Sequence, residues 1–185
     1  MKDTPYRTGL IVGRFQMIHT GHTDMIRQAL RLCGEVCVLV GSAQEQGTEK
    51  NPFSYEQRRE MLKNVFPEEN VHVFPLPDAG LGNNALWGDH LLKKAEEYMG
   101  RMPDLAVSGR EERREGWFSG ERGAALTELR VPKRVPVSAT RMRALLTEND
   151  REGWRAFAPS ALWDRYDFLR ETVLGTLGRT HTDSI

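Results

Sequence analysis

Apolar residues fall along the chain in two alternating rhythms, short unbroken runs and stripes with helical spacing. Residues 8–13 (TGLIVG) form such a run closing on Gly13, the pattern of a strand buried on both faces that turns at once into a helix. From Thr20 onward, Met25, Ile26, Ala29, Leu30 and Cys33 make one apolar helix stripe, with Gly34 as the expected stop, and EVCVLVGS predicts a second buried strand. Ser54 and Gln57 form a capping box opening a helix through Arg58, Met61 and Leu62 toward Pro67; VHVFPL predicts a third strand. Asn84 is the expected cap of a helix through Leu86, Leu91, Leu92, Ala95 and Tyr98 ended by Gly100, and DLAVSG predicts a fourth strand after Pro103. Residues 127–131 suit a fifth strand, 138–146 a helix, and 154–173 one or two further amphipathic helices.

Strands separated by helices of this length pair in parallel through right-handed crossovers. The expected class is therefore α/β: a Rossmann-like open parallel sheet of about five strands with helices on both faces and a small helical C-terminal part. Ligands of such sheets bind at the carboxyl ends of the strands. With no internal repeat, low-complexity linker or shift in composition, residues 1–185 are expected to form a single domain. Its core spans 8–146 and its C-terminal helices 150–175, with a frayed tail over 178–185. The charged, glycine-rich stretch 109–123 (GREERREGWFSGERG) is expected to be a loop or short helix and is assigned no firm structure.

Charge changes the picture by what it removes. The 26 basic and 26 acidic residues cancel, so no global positive field exists for non-specific nucleic-acid binding, and any anion site must be built locally. Cys33 and Cys37 have no Cys or His neighbours at metal-ligand spacing and are expected to be free, buried thiols. The N-terminal segment has only a short apolar run, so a soluble, cytoplasmic protein without a membrane partner is expected.

Two segments carry candidate chemistry. In GRFQMIHTGH, Arg14 follows the first strand directly and His19 and His22 open the next helix. A helix N-terminus presents unpaired N–H groups and partial positive charge to phosphate, and Thr20 and Gly21 allow close approach. Both imidazoles can reach a triphosphate, as neutral donors or as cations. A zinc site lacks a third ligand in this segment, so no fixed metal site is expected. In VSATRMR, Ser138 is a candidate N-cap, with Thr140, Arg141 and Arg143 in the first turns; the plain alternative is an ordinary cap with solvated arginines.

These residues together resemble the α/β nucleotidyltransferases that carry an HxGH signature (His19, Thr20, Gly21, His22) and a later ISxTxxR signature (Val137 to Arg143, with Val for Ile). GRFQ before the first signature, GSAQ at 41–44, KNPFSYEQR at 50–58 and, more loosely, PDAGLGNNALWGDHL resemble the archaeal-type nicotinamide-mononucleotide adenylyltransferases and the adenylyltransferase half of bifunctional adenylyltransferase/Nudix proteins. The pattern departs from the family at Met17, where Pro is common, and the Nudix box is absent: Gly109 and Glu115 have its opening spacing, but Gly123 and Ala124 stand in place of its Arg-Glu pair.

The resemblance implies transfer of AMP from ATP to nicotinamide mononucleotide, forming NAD and pyrophosphate, with Mg²⁺ carried in by ATP and relatives that form homo-oligomers. It implies His19, His22 and Arg143 as catalytic residues, and Gly13, Arg14, Phe15, Gln16, Gly21, Ser138 and Thr140 as ATP or phosphate ligands. It further implies Ser42, Phe53, Arg58, Asp78, Asn84 and Trp87 around the acceptor, with the indole stacked on the nicotinamide ring by cation–π attraction; core packing is the other reading of Trp87. A sister acceptor such as phosphopantetheine, cytidylyl transfer, and a non-catalytic nucleotide sensor remain the alternatives.

Overall fold

The computed structural model describes residues 3–109 and 116–177. Its strands are β1 (Tyr6–Gly13), β2 (Cys33–Gly41), β3 (Val71–Leu76), β4 (Leu105–Gly109) and β5 (Thr127–Val131). All pair in parallel in the order β3-β2-β1-β4-β5, the expected Rossmann-like sheet. The helices are α1 (Thr20–Leu32), α2 (Tyr55–Val65), α3 (Asn84–Met99), α4 (Ala139–Thr147), α5 (Arg151–Arg155) and α6 (Tyr166–Leu174), with 3₁₀ turns at Glu121–Gly123 and Ser160–Arg165. Among the described residues no helix is long and apolar enough to cross a membrane.

Alternation along the central strands decides which helices cover which face. Leu10 and Val12 of β1 with Cys37 and Leu39 of β2 face Leu91, Leu92 and Ala95 of α3. Ile11, Val36, Val38 and Val40 face the other way, into a larger core with Met25 and Ile26 of α1, Leu62 of α2, Met142 and Leu146 of α4, and the C-terminal helices. Trp154 and Tyr166, both fully buried and edge to face at 5.2 Å, anchor α5 and α6 in that core.

Two local expectations are corrected. Gly34 does not stop α1; the helix ends at Leu32, and Cys33, its C-cap, already starts β2, so Gly34 and both cysteines lie in the strand. Asn83, not Asn84, caps α3: its side chain accepts from the N–H groups of Ala85 (2.8 Å) and Leu86 (3.3 Å). The Ser54–Gln57 capping box forms as expected. Residues 110–115 of the charged stretch and the tail from 178 lie outside the described residues.

The sheet opens where the strand order reverses. β1 and β2 stay in register from Tyr6 to Gly13, whereas β1 and β4 pair only at Gly9 with Leu105 and Leu10 with Ala106. Beyond that point the strands part, and a crevice forms at the switch between β1 and β4, the position from which α/β sheets bind ligands.

Candidate active site

Two adjoining cavities fill this crevice and share His22, Met25 and Ala139. The larger, of roughly 560 Å³, is bordered by Arg14, Lys50, Thr140 and Arg143 on one side and by Asp78, Trp87 and Trp117 on another. The smaller, of roughly 280 Å³, lies between His19, Gly21 and His22 at the start of α1 and residues 131–139 leading into α4. The N-termini of α1 and α4 therefore open onto one cleft, and their partial positive charges add.

His19 is the N-cap of α1, and its backbone N–H donates to His22 Nδ1 at 3.3 Å, half of a capping box. Because Nδ1 accepts, the ring proton of neutral His22 sits on Nε2. The two rings stack with centroids 3.7 Å apart. His19 is buried (8% exposed), with Nδ1 unpartnered; burial, and secondarily Lys133, pushes its pKa down to about 4. Burial among protein atoms, reinforced by His19, holds His22 well below the usual histidine range. Both rings are therefore neutral hydrogen-bonding groups near pH 7 in the free protein. A β-carbon at Gly21 would lie 3.1 Å from the His19 ring, so a glycine between the histidines lets that ring settle against the first turn.

Positive charge comes instead from Arg14, Lys50, Lys133, Arg134 and Arg143, which line the cleft. Among the described residues none of them has a carboxylate within ion-pair distance. Arg143 donates to the main-chain carbonyl of Gln16 and, at 3.4 Å, to Thr140 Oγ1; burial and then the neighbouring Arg14 lower its pKa. Ser138 caps α4 by accepting from the Arg141 N–H at 3.2 Å. Arg141 itself turns outward to Glu148.

The turn after β1 is tied to the loop after β2 by Gln16, whose side chain accepts from the Phe53 N–H (3.0 Å) and donates to the Phe53 carbonyl (2.9 Å). Phe15 and Ser42, at the ends of β1 and β2, both adopt left-handed backbone conformations (φ 52° and 47°). Such conformations in non-glycine residues persist only where surrounding contacts enforce them, and they concentrate at ligand sites. Ser42 Oγ donates to Asp78 Oδ1 (3.2 Å) and Gln44 Nε2 to Asp78 Oδ2 (2.9 Å), fixing the carboxylate on the cavity wall. Trp87 packs on the α3 core with part of its surface and faces the cavity with the rest, edge to face with Trp117 at 6.3 Å.

Of the residues expected at the site, Gly13, Arg14, Phe15, Gln16, His19, Gly21, His22, Ser42, Asp78, Trp87, Ser138, Thr140 and Arg143 border these cavities. Phe53 and Arg58 do not: both are fully buried behind the wall. Asn84 is exposed in the first turn of α3, off the cavity wall. Lys50, Trp117 and residues 131–135 also border these cavities, and none of them was expected among the site residues. Lys50 was visible as the basic residue opening KNPFS, whereas Trp117 sat in a stretch whose pattern predicted no element.

Comparison with known proteins bears on the family and the fold. Residues 10–109 match the family model described as cytidylyltransferase-like. The nicotinamide-nucleotide adenylyltransferase of Thermococcus kodakarensis is 28% identical over 170 residues, covering 89% of this chain and 83% of that protein. Its counterpart from Methanolobus tindarius is 26% identical, covering 87% and 88%. Among solved structures, a bifunctional NMN adenylyltransferase/ADP-ribose pyrophosphatase from Francisella tularensis, complexed with AMP and an Mn ion, superposes with a TM-score of 0.69 at 22% identity, which bears on the fold. It is matched over 93% of this chain, and this chain spans about half (52%) of its length. With more than half of its residues in the matched span, the chain belongs to the cytidylyltransferase-like family of α/β nucleotidyltransferases.

Proposed function

We propose that this chain transfers the AMP group of ATP to the 5′-phosphate of nicotinamide mononucleotide, releasing pyrophosphate and forming NAD. The observation that carries the proposal is the cleft itself: two helix N-termini and five cations without carboxylate partners among the described residues converge beside a wall of two indoles. Polyphosphate suits the first part and a flat cationic pyridinium the second. The naming of the curated relatives as nicotinamide-nucleotide adenylyltransferases supports the same acceptor.

In this reading an oxygen of the acceptor phosphate attacks the α-phosphorus of ATP in line with the bond to the bridging oxygen. That bond breaks, and its electron pair leaves with pyrophosphate. The acceptor phosphate is already ionised near pH 7, so no general base is needed and catalysis rests on positioning and charge. The Nε2–H of His22 donates to the α-phosphoryl oxygens, with His19 beside it. Arg143, Thr140 and Lys50 of the larger cavity, with Ser138 at the edge of the smaller, hold the β- and γ-phosphates as they leave, and Arg14 bridges toward the acceptor phosphate. Residues 131–135 and Val137 border the smaller cavity, where the adenine would lie. Trp87, Trp117, Ser42 and Asp78 enclose the acceptor. Mg²⁺ enters as the ATP complex; among the described residues no three carboxylate, imidazole or thiol groups gather to hold an ion. Free, buried Cys33 and Cys37 fit a reducing compartment, and the cytoplasm is the proposed location.

The test is direct. Purified protein with ATP and Mg²⁺ is supplied with nicotinamide mononucleotide, nicotinic acid mononucleotide or phosphopantetheine, and pyrophosphate and the adenylylated product are measured. NAD formation is expected; pyrophosphate released only with phosphopantetheine would replace the acceptor, and none with any acceptor would leave a nucleotide-binding protein without turnover.

A further inference from the structure

Arg58 is a buried cation with no ion-pair partner among the described residues. Its guanidinium is satisfied by main-chain carbonyls alone: Nη1 donates to Arg14 (2.9 Å) and Gly41 (2.8 Å), Nη2 to Ser42 (3.1 Å), and Nε to Ser54 (3.1 Å). Burial uncompensated by a contacting carboxylate pushes its pKa down to about 10, so the charge is held at a cost. A packed apolar side chain would avoid that cost, yet could not join what the guanidinium joins.

The joined segments are the turn after β1, the end of β2 and the N-cap of α2. Arg14, Gly41 and Ser42, three of the four acceptors, border the larger cavity, and the left-handed residues are Phe15, directly after Arg14, and Ser42 itself. With the Arg14 and Gly41 carbonyls drawn to the guanidinium, the N–H groups of the same planar peptides, those of Phe15 and Ser42, turn away from it. The rigid fork thus sets the orientation of both turns, which a flexible ammonium with a single nitrogen would hold less well.

We propose that Arg58 is a positioning residue for the transfer: by clasping the carbonyls of Arg14, Gly41 and Ser42 from behind, it presets the cavity floor on which the reacting phosphates are aligned. It does not touch substrate. The proposal rests on the transferase reading above, and its consequence is a kcat effect larger than any effect on binding.

The experiment compares wild type with R58K, which keeps the charge and loses the fork, and R58A, which leaves room for added guanidinium. Thermal melts establish the temperature at which each is folded; kcat and both KM values are measured below it, and ATP binding is followed by calorimetry. R58K is expected to lose about tenfold or more in kcat, with KM for both substrates and the ATP Kd within about threefold. Millimolar guanidinium, and not methylammonium, is expected to restore R58A at least about tenfold. Folded R58K with kcat within threefold of wild type, losses that merely track the folded fraction, or failure of both variants to fold would overturn the proposal and make Arg58 a packing residue. Should wild type itself turn over no acceptor, the transferase reading fails first; the preset floor is then judged by the kinetics of tripolyphosphate binding, expected to show a slower on-rate in R58K with the Kd still within about threefold, and overturned by an unchanged on-rate.

Discussion

The carbonyl oxygen of Trp117 lies 1.3 Å from where a β-carbon on Gly88 would stand. A glycine inside a helix costs about 1 kcal/mol relative to alanine, and at this position in α3 it buys a seat for the main chain of the segment after β4. Further along that segment, a β-carbon on Gly123 would stand 2.1 Å from the Phe118 carbonyl oxygen. The seat brings the Trp117 indole against Trp87 on the acceptor wall. Gly88→Ala is therefore expected to stabilise α3 locally while dislodging Trp117, raising the acceptor KM several-fold and leaving the ATP KM unchanged. Steady-state kinetics with each substrate varied in turn decides it; an unchanged acceptor KM would remove Trp117 from the site.

His22 is expected to matter far more to rate than to folding. His22→Ala removes a donor aimed at the cleft, a loss on the order of 10²-fold or more in kcat, and also removes the acceptor for the His19 N–H, at about 1 kcal/mol. His22→Gln separates the two effects, because glutamine is the ordinary residue at that place in a capping box. It should recover the melting temperature and only part of kcat. Wild-type kcat in His22→Ala would refute the role.

How much of this was legible follows from where each signal lives. The strands and helices were read correctly because the sheet is buried on both faces and its apolar runs are short and uninterrupted, as at Leu10 to Val12 and Val36 to Val40. The Gly34 stop failed because β2 follows α1 without a loop, so glycine's usual signal fell inside a strand. The candidate anion site was legible as two helix starts, because the turns that border the cleft are set by local sequence. Phe53 and Arg58 were expected beside the acceptor, but neither borders the cavity: the Phe53 main chain is held by Gln16, and Arg58 faces carbonyls from three segments. Such contacts are set by tertiary packing, which no local pattern encodes. The same holds for Trp117, whose place depends on Gly88 some thirty residues earlier.

His19 links the site to acid stability. Its pKa is lowered from 6.5 to about 4, so between these values the unfolded chain binds more protons than the folded one. The histidine is accommodated without penalty above pH 6.5, and stability is lost as pH falls from there toward 4, by up to about 3 kcal/mol at 1.36 kcal/mol per pH unit. Bound polyphosphate should lift this pKa by favouring the imidazolium, so ATP binding near pH 5.5 is expected to take up protons. Melting temperature against pH for wild type and His19→Gln measures the first effect: the variant should lose less stability on acidification, and parallel curves would contradict it. Calorimetric ATP binding in buffers of different ionisation enthalpy measures the second.

The two arginines of the α4 turn give the sharpest contrast, because they are two residues apart and face different surroundings. Arg143 is tied to the Gln16 carbonyl and Thr140 on the cavity wall, with its charge partly desolvated beside Arg14. Arg141 is exposed and pairs with Glu148 near the other end of the same helix, an interaction worth about 0–1 kcal/mol. Arg143→Lys keeps the charge and gives up both the planar fork and its hold on the turn after β1, so kcat is expected to fall on the order of 10²-fold with a small change in melting temperature. Arg141→Lys should be close to wild type in both. Pyrophosphate release on a common protein concentration, with melts run alongside, compares them directly. Equal losses in the two variants would mean that helix charge alone, rather than the placement of Arg143 against the departing phosphates, accounts for the basic character of this turn.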